Sequence, residues 1–270
     1  MTLGADFLPR LLSALVLIPL ALGVLWFGGW PFAVFWAVAA ILVLWEWTAM
    51  SAVAPRLPVL AIGGAALLTV ATALGLGAVP MAFAAAALGL AATGLAAQQG
   101  RGWAAGGFLY AAAALAAPVM LRLADGLGLV AVLWLFALVW TTDIAAYFSG
   151  RLIGGPRLWV RISPKKTWSG AIGGTVLGTL AALLLLRAAG IAPSLPLAAV
   201  SLGASLLSQA GDLFESAMKR RFGVKDSSGL IPGHGGLMDR LDGFIVAAAF
   251  ALAVGMARDP SAPAQGVLLW

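Results

Sequence analysis

Apolar runs of spanning length, about 20 residues each, follow one another along the chain with short polar interruptions between them. The runs cover roughly residues 11–29, 32–50, 58–77, 80–98, 103–121, 127–148, 169–188, 193–211 and 243–257. A helix of that length crosses the hydrocarbon core, and a helix satisfies its own backbone hydrogen bonds there. The pattern predicts an all-α polytopic membrane protein with about nine transmembrane helices. It divides into N-terminal transmembrane helices, 1–126, and a C-terminal transmembrane region, 127–270, that carries the polar motifs, the two forming one integral unit. Several runs are rich in Ala and Gly, which permits close helix–helix approach.

Composition narrows the picture. The 270 residues are 62% hydrophobic and only 10% charged, against about 25% charged in a soluble domain. No room is left for a soluble domain of ordinary size. The absence of cysteine excludes disulfides, thiolate metal sites and cysteine nucleophiles. The apolar run from Leu11 lacks an obvious small-residue cleavage site and is expected to be a retained first helix. A net charge of +6 would suggest nucleic acid for a soluble protein. In a membrane protein the distribution matters more, and no nucleic-acid partner is expected. When the nine runs alternate across the bilayer, Arg122, Arg187 and Arg258 fall on one side. The other thirteen of the 16 Lys and Arg fall on the opposite side. This bias places the N-terminus and both long polar connections in the cytoplasm and the C-terminus outside.

Those two connections are residues 149–168 and 212–242. Long polar connections in a compact chain are commonly functional. A basic loop that only sets orientation needs cations, not carboxylates, yet residues 211–242 hold five of the 10 acidic residues, five of the 16 basic ones and the one histidine. Carboxylates beside cations suit a divalent metal with a phosphate. Asp212, Glu215, Ser216 and Lys219 fall at i, i+3, i+4 and i+7, one helical face. Asp239 and Asp242 fall at i, i+3 where the last span begins, a position at which a carboxylate also serves simply as a helix cap. Asp143 lies near the end of the sixth span, with Tyr147 and Gly150 on its face, and an ionisable residue at membrane depth is a functional candidate. Glu46, near the end of the second span, is a weaker functional candidate and reads equally as a snorkelling or paired side chain. The glycines around His234, among them Gly235 and Gly236, can present backbone N–H groups to phosphate. Ser163, Lys165, Lys166 and Thr167 precede the seventh span as a candidate phosphate clamp. No GxxxxGK[ST], GxSxG or HExxH motif occurs, which disfavours a P-loop ATPase, a serine lipase and a zincin.

Ser216-Ala-Met-Lys-Arg, Lys225-Asp226 and Pro232-Gly-His-Gly-Gly-Leu-Met-Asp-Arg-Leu-Asp242 together resemble the signature of phosphatidate cytidylyltransferases, or CDP-diacylglycerol synthases. Asp143-Ile-Ala-Ala-Tyr147, Ser163-Pro-Lys-Lys-Thr167 and Gly211-Asp212 extend the resemblance over about the second half of the chain. In the first half it rests on hydropathy and Trp45-Glu46-Trp47. The resemblance implies that CTP and phosphatidate give CDP-diacylglycerol and pyrophosphate with Mg²⁺, a second and monovalent cation such as K⁺, and a homodimer in the bacterial inner membrane. It implies a site at the cytoplasmic helix ends, open to membrane lipid. Asp212, Asp239, Lys219, Asp242 and His234 would be catalytic, with Asp143, Asp212, Asp239 and Asp242 as metal ligands. Ser163, Lys165, Lys166, Thr167, Ser216, Arg220, Lys225, Asp226, Gly235, Gly236, Arg240 and Tyr147 would bind substrate. Two other readings remain: a related CTP-using lipid enzyme (a polyprenol kinase or an ether-lipid cytidylyltransferase) and an ion-coupled transporter, which would instead place charges near the bilayer midplane.

Overall fold

The computed structural model describes residues 7–123, 126–233 and 235–270. Helices dominate because long runs of Ala, Leu and Val with few charges leave the backbone no partner in lipid except itself. Among the described residues, eight helices are long and apolar enough to cross a membrane, and a further helix contributes the apolar stretch Leu15–Phe27. The protein is an all-α polytopic membrane protein as expected, and the expected count of about nine spans is approximate. The chain forms two compact units.

The first unit comprises residues 1–119 and 222–241. Its helices are α1 (Phe7–Phe27), α2 (Gly29–Met50), α3 (Arg56–Gly75), α4 (Val79–Ala96) and most of α5 (Arg101–Leu123). The core forms around α2, where Phe32, Trp36, Val43, Leu44 and Trp47 are buried. Trp47 lies against Gly107 of α5 and donates its indole N–H to the Trp103 carbonyl at 2.8 Å. Phe222, beyond the membrane-spanning helices, meets the Trp103 ring edge-to-face at 5.1 Å. That contact helps attach the 222–241 segment to this unit.

The second unit comprises residues 120–221 and 242–270. It contains α6 (Gly128–Leu152), strands β1 (Arg157–Trp159) and β2 (Ser163–Thr167), α7 (Trp168–Ala188), α8 (Leu195–Arg221), the part of α9 (Met238–Arg258) from Asp242 onward, and α10 (Pro263–Leu268). Helices α6 and α7 pack along a stripe of small residues. A Cβ on Gly170 would lie 2.7 Å from the Ala146 carbonyl oxygen, and one on Gly174 would lie 2.7 Å from that of Thr142. Gly178 faces Thr142 and Leu138 in the same way. This small-residue spacing brings two backbones into contact in a lipid setting.

The long polar connection between α6 and α7 contains strands that the all-α reading did not include. They form an antiparallel hairpin pairing Arg157 with Thr167 and Trp159 with Ser163. Helix α8 runs ten residues past its predicted apolar end at 211, so its last three turns are polar. The hairpin and this polar end of α8 place the first group of candidate residues.

Candidate functional site

In the second unit, β2 delivers Lys166 to α8, where its Nζ is ion-paired with Asp212 Oδ2. The second oxygen of Asp212 accepts from the Ser216 hydroxyl at 3.4 Å, one turn on. Another turn along, Lys219 Nζ lies 2.5 Å from Glu215 Oε2, and Glu215 is buried. The helical face expected for residues 212–219 is therefore present, organised as two lysine–carboxylate contacts. Gly211 brings the α9 backbone close, since a Cβ there would sit 2.6 Å from the Asp242 carbonyl oxygen. Asp242 Oδ1 accepts from the Gly243 N–H at 2.8 Å. Its carboxylate also feels the charges of Asp212, Asp143 and Lys219.

These are hard oxygen donors, which suit a hard divalent cation. Among the described residues no three Asp, Glu, His or Cys side chains converge into a metal-holding group. Mg²⁺ does not require such a cage. It commonly keeps one or two carboxylates and completes its shell with substrate phosphates and water. Asp212, next to Gly211, and Asp242, whose backbone Gly211 lies against, offer carboxylates for that mode.

Thr167 is buried and caps α7, accepting from the Gly170 N–H at 3.1 Å and sharing a 3.0 Å hydrogen bond with Ser169. The cap leaves Lys166 directly before the helix start. Ser163 is half-buried in β2, while Lys165 is exposed and its carbonyl accepts from Arg157. Asp143 and Tyr147 are exposed on α6, where the Tyr147 hydroxyl accepts from Arg151 at 2.8 Å. Arg220 is exposed on the last turn of α8.

The first unit holds a second polar cluster, built on residues 225–241. Asp239 Oδ2 accepts from the Ser227 N–H at 2.9 Å, the Ser227 hydroxyl at 2.9 Å and the Gly236 N–H at 2.8 Å. Gly235 adopts φ +83 and lies against Asp226. Lys225, Asp226 and Arg240 are exposed. His234 lies outside the described residues.

Sequence reasoning left Glu46 undecided, and the structure makes it the centre of this cluster. The side chain is fully buried, at 0% exposure. Oε1 accepts from the Ser228 hydroxyl at 2.6 Å and the Leu237 N–H at 2.8 Å. Oε2 accepts from the Met238 N–H at 2.6 Å and, at 3.2 Å, shares with Asp239 the single proton of the Ser227 hydroxyl. Nothing in the sequence marks Ser227 or Ser228. The only available signal was a lone carboxylate in an apolar span, which must find donors or remain uncharged.

Comparison with known proteins agrees with the motif resemblance and extends it over nearly the whole chain. The model described as "Cytidylyltransferase family" matches residues 8–257. The phosphatidate cytidylyltransferase of Brucella suis biovar 1 (strain 1330) is 39% identical over 242 residues, covering 89% of this chain and 90% of the relative. That of Bacillus subtilis (strain 168) is 41% identical over 128 residues, 47% of this chain and 48% of the relative. That of Staphylococcus aureus (strain COL) is 44% identical over 119 residues, 44% of this chain and 46% of the relative.

Proposed function

Since the chain belongs to the cytidylyltransferase family, we propose that it transfers the cytidylyl group of CTP to phosphatidate, giving CDP-diacylglycerol and pyrophosphate for phospholipid biosynthesis. The observation that carries this reading is the near full-length match to a phosphatidate cytidylyltransferase, 39% identical over 90% of that protein. A phosphate oxygen of phosphatidate attacks the α-phosphorus of CTP. The bond from that phosphorus to the oxygen bridging to the β-phosphate breaks, and pyrophosphate carries away the electron pair. No covalent enzyme intermediate is needed, because the attacking group is already an anion.

Two anions must meet, so the chain's cations carry much of the work. Lys166 is set by its contact with Asp212 and can neutralise a phosphate oxygen. Lys219 is held by Glu215 and does the same from the next turns of α8. Lys165, Arg220, Lys225 and Arg240 are the exposed cations assigned to the triphosphate and the lipid headgroup. Ser163, Ser216 and Tyr147 are assigned hydroxyl contacts, and Gly235 and Gly236 backbone contacts, with substrate. Asp226 is also assigned to substrate, and His234 to the reacting groups. Asp212 and Asp242 are assigned to hold Mg²⁺, with Asp143 and Asp239 as further carboxylates of the same chemistry. Bound there, Mg²⁺ would neutralise phosphate charge and orient the triphosphate. A second, monovalent cation such as K⁺ and a homodimer complete the reading.

The integral membrane protein has its N-terminus and both long polar connections in the cytoplasm, its C-terminus outside, and lies in the bacterial inner membrane. The charge bias along the chain supports this orientation. CTP then arrives from the cytosol and phosphatidate from the bilayer, and neither crosses the membrane.

Labelled CTP distinguishes this reaction from that of a CTP-using lipid kinase. With purified protein, phosphatidate and Mg²⁺, label at the α-phosphorus should enter the lipid and label at the γ-phosphorus should not. A kinase gives the reverse result on a polyprenol, and an ether-lipid enzyme would prefer the ether analogue of phosphatidate.

A further inference from the structure

We propose that Glu46 is a positioning residue for this transfer reaction, whose carboxylate joins Ser227 and Ser228 to the backbone of Leu237 and Met238 and so sets the approach to Asp239. The inference rests on the reaction proposed above. Glu46 belongs to α2, and its partners lie 181 to 192 residues further along the chain. A completely buried carboxylate is costly unless donors surround it, and here both oxygens are occupied by two hydroxyls and two backbone N–H groups. An apolar side chain could fill this core position without that cost, but it could not accept from the N–H groups of Leu237 and Met238. Those groups stand where α9 begins, an end of a helix that favours an anion.

Glu46 also acts on Asp239 through a shared partner. The Ser227 hydroxyl lies 3.2 Å from Glu46 Oε2 and 2.9 Å from Asp239 Oδ2. Gly236 closes the arrangement: its N–H donates to Asp239 at 2.8 Å, and a Cβ added to it would lie 2.5 Å from Glu46 Oε1. Two carboxylates thus hold one segment, which the exposed Lys225 and Arg240 flank in sequence. A segment fixed in this way presents its polar groups in one geometry, and misplacement by about 1 Å can cost roughly 100-fold in rate.

The test compares wild type, Glu46→Gln, Ser228→Ala and the double variant in detergent, by CDP-diacylglycerol synthesis and by limited trypsin digestion. Gln keeps the shape of the side chain but loses one acceptor oxygen. We expect Glu46→Gln to lower kcat about tenfold or more, with a smaller change in KM for CTP. Trypsin should cut faster after Lys225 and Arg240, while the thermal midpoint of the protein stays within a few degrees. The double variant should lose less activity than the product of the single losses, because both substitutions disturb one device. Glu46→Asp, which retains the charge, should recover part of the rate. The inference is overturned if Glu46→Gln leaves cleavage and kcat unchanged. It is equally overturned if activity falls only in step with the folded fraction, without faster cutting in the segment. If the wild type makes no CDP-diacylglycerol, the proposed reaction fails, and this inference falls with it as a statement about catalysis. The cleavage comparison would then still decide whether Glu46 fixes the segment.

Discussion

Lys166 and Lys165 are neighbours in sequence with different surroundings. Lys166 is half-buried and bound to Asp212, whereas Lys165 is exposed. An ordered cation beside a carboxylate contributes more to a transition state than one on a free tether, because less freedom is lost when charge develops. Lys166→Ala should therefore reduce kcat/KM for CTP by about 10- to 100-fold, and Lys165→Ala by only a few-fold, in a steady-state comparison of the two. Lys166→Arg should not restore the rate, since a planar fork does not replace a compact ammonium. At this scale the sequence was informative wherever charges cluster: Asp212, Lys219 and Asp239 announce themselves by type and spacing. Glu46, Ser227 and Ser228 did not, for a physical reason. Their significance lies in hydrogen bonds to backbone N–H groups far away in the chain, and side-chain identity does not encode those.

The α6–α7 pair is held by contact between backbones, so it is sensitive to side-chain volume at the stripe. Gly174→Leu inserts four carbons where even a Cβ would meet the Thr142 oxygen at 2.7 Å. It should cost on the order of 1–3 kcal/mol or more, read as a lowered thermal midpoint in detergent. Gly64→Ala on α3 is the control, because a Cβ there meets nothing within 4 Å, and it should leave the midpoint near that of wild type. Helices were legible from hydropathy because the membrane imposes a length and a polarity on them. The β1–β2 hairpin was not. Strands of three and five residues, basic and interrupted by Pro164, carry no alternation long enough to detect. The polar end of α8 also escaped the hydropathy count, and only the i, i+4, i+7 spacing of Asp212, Ser216 and Lys219, one face of a helix, pointed to it.

For the whole molecule, the charge distribution gives an orientation that can be tested cleanly because the natural chain has no cysteine. Single cysteines at Lys165 and at Ser261, both exposed, should label from opposite sides with a membrane-impermeant maleimide. Lys165→Cys should react in inverted vesicles and Ser261→Cys in right-side-out vesicles. Labelling of both from the same side would contradict the assigned topology.

The most direct measurement is transfer of α-labelled cytidylyl from CTP to phosphatidate by wild type and by Asp242→Asn, which keeps the shape of the side chain and removes its charge. Wild type with Mg²⁺ should give labelled CDP-diacylglycerol and pyrophosphate, and the variant should lose at least about 100-fold at equal folded protein. Folded wild-type protein that transfers no label to phosphatidate would contradict the proposed reaction. Full activity in Asp242→Asn would keep the reaction and remove that carboxylate from its mechanism.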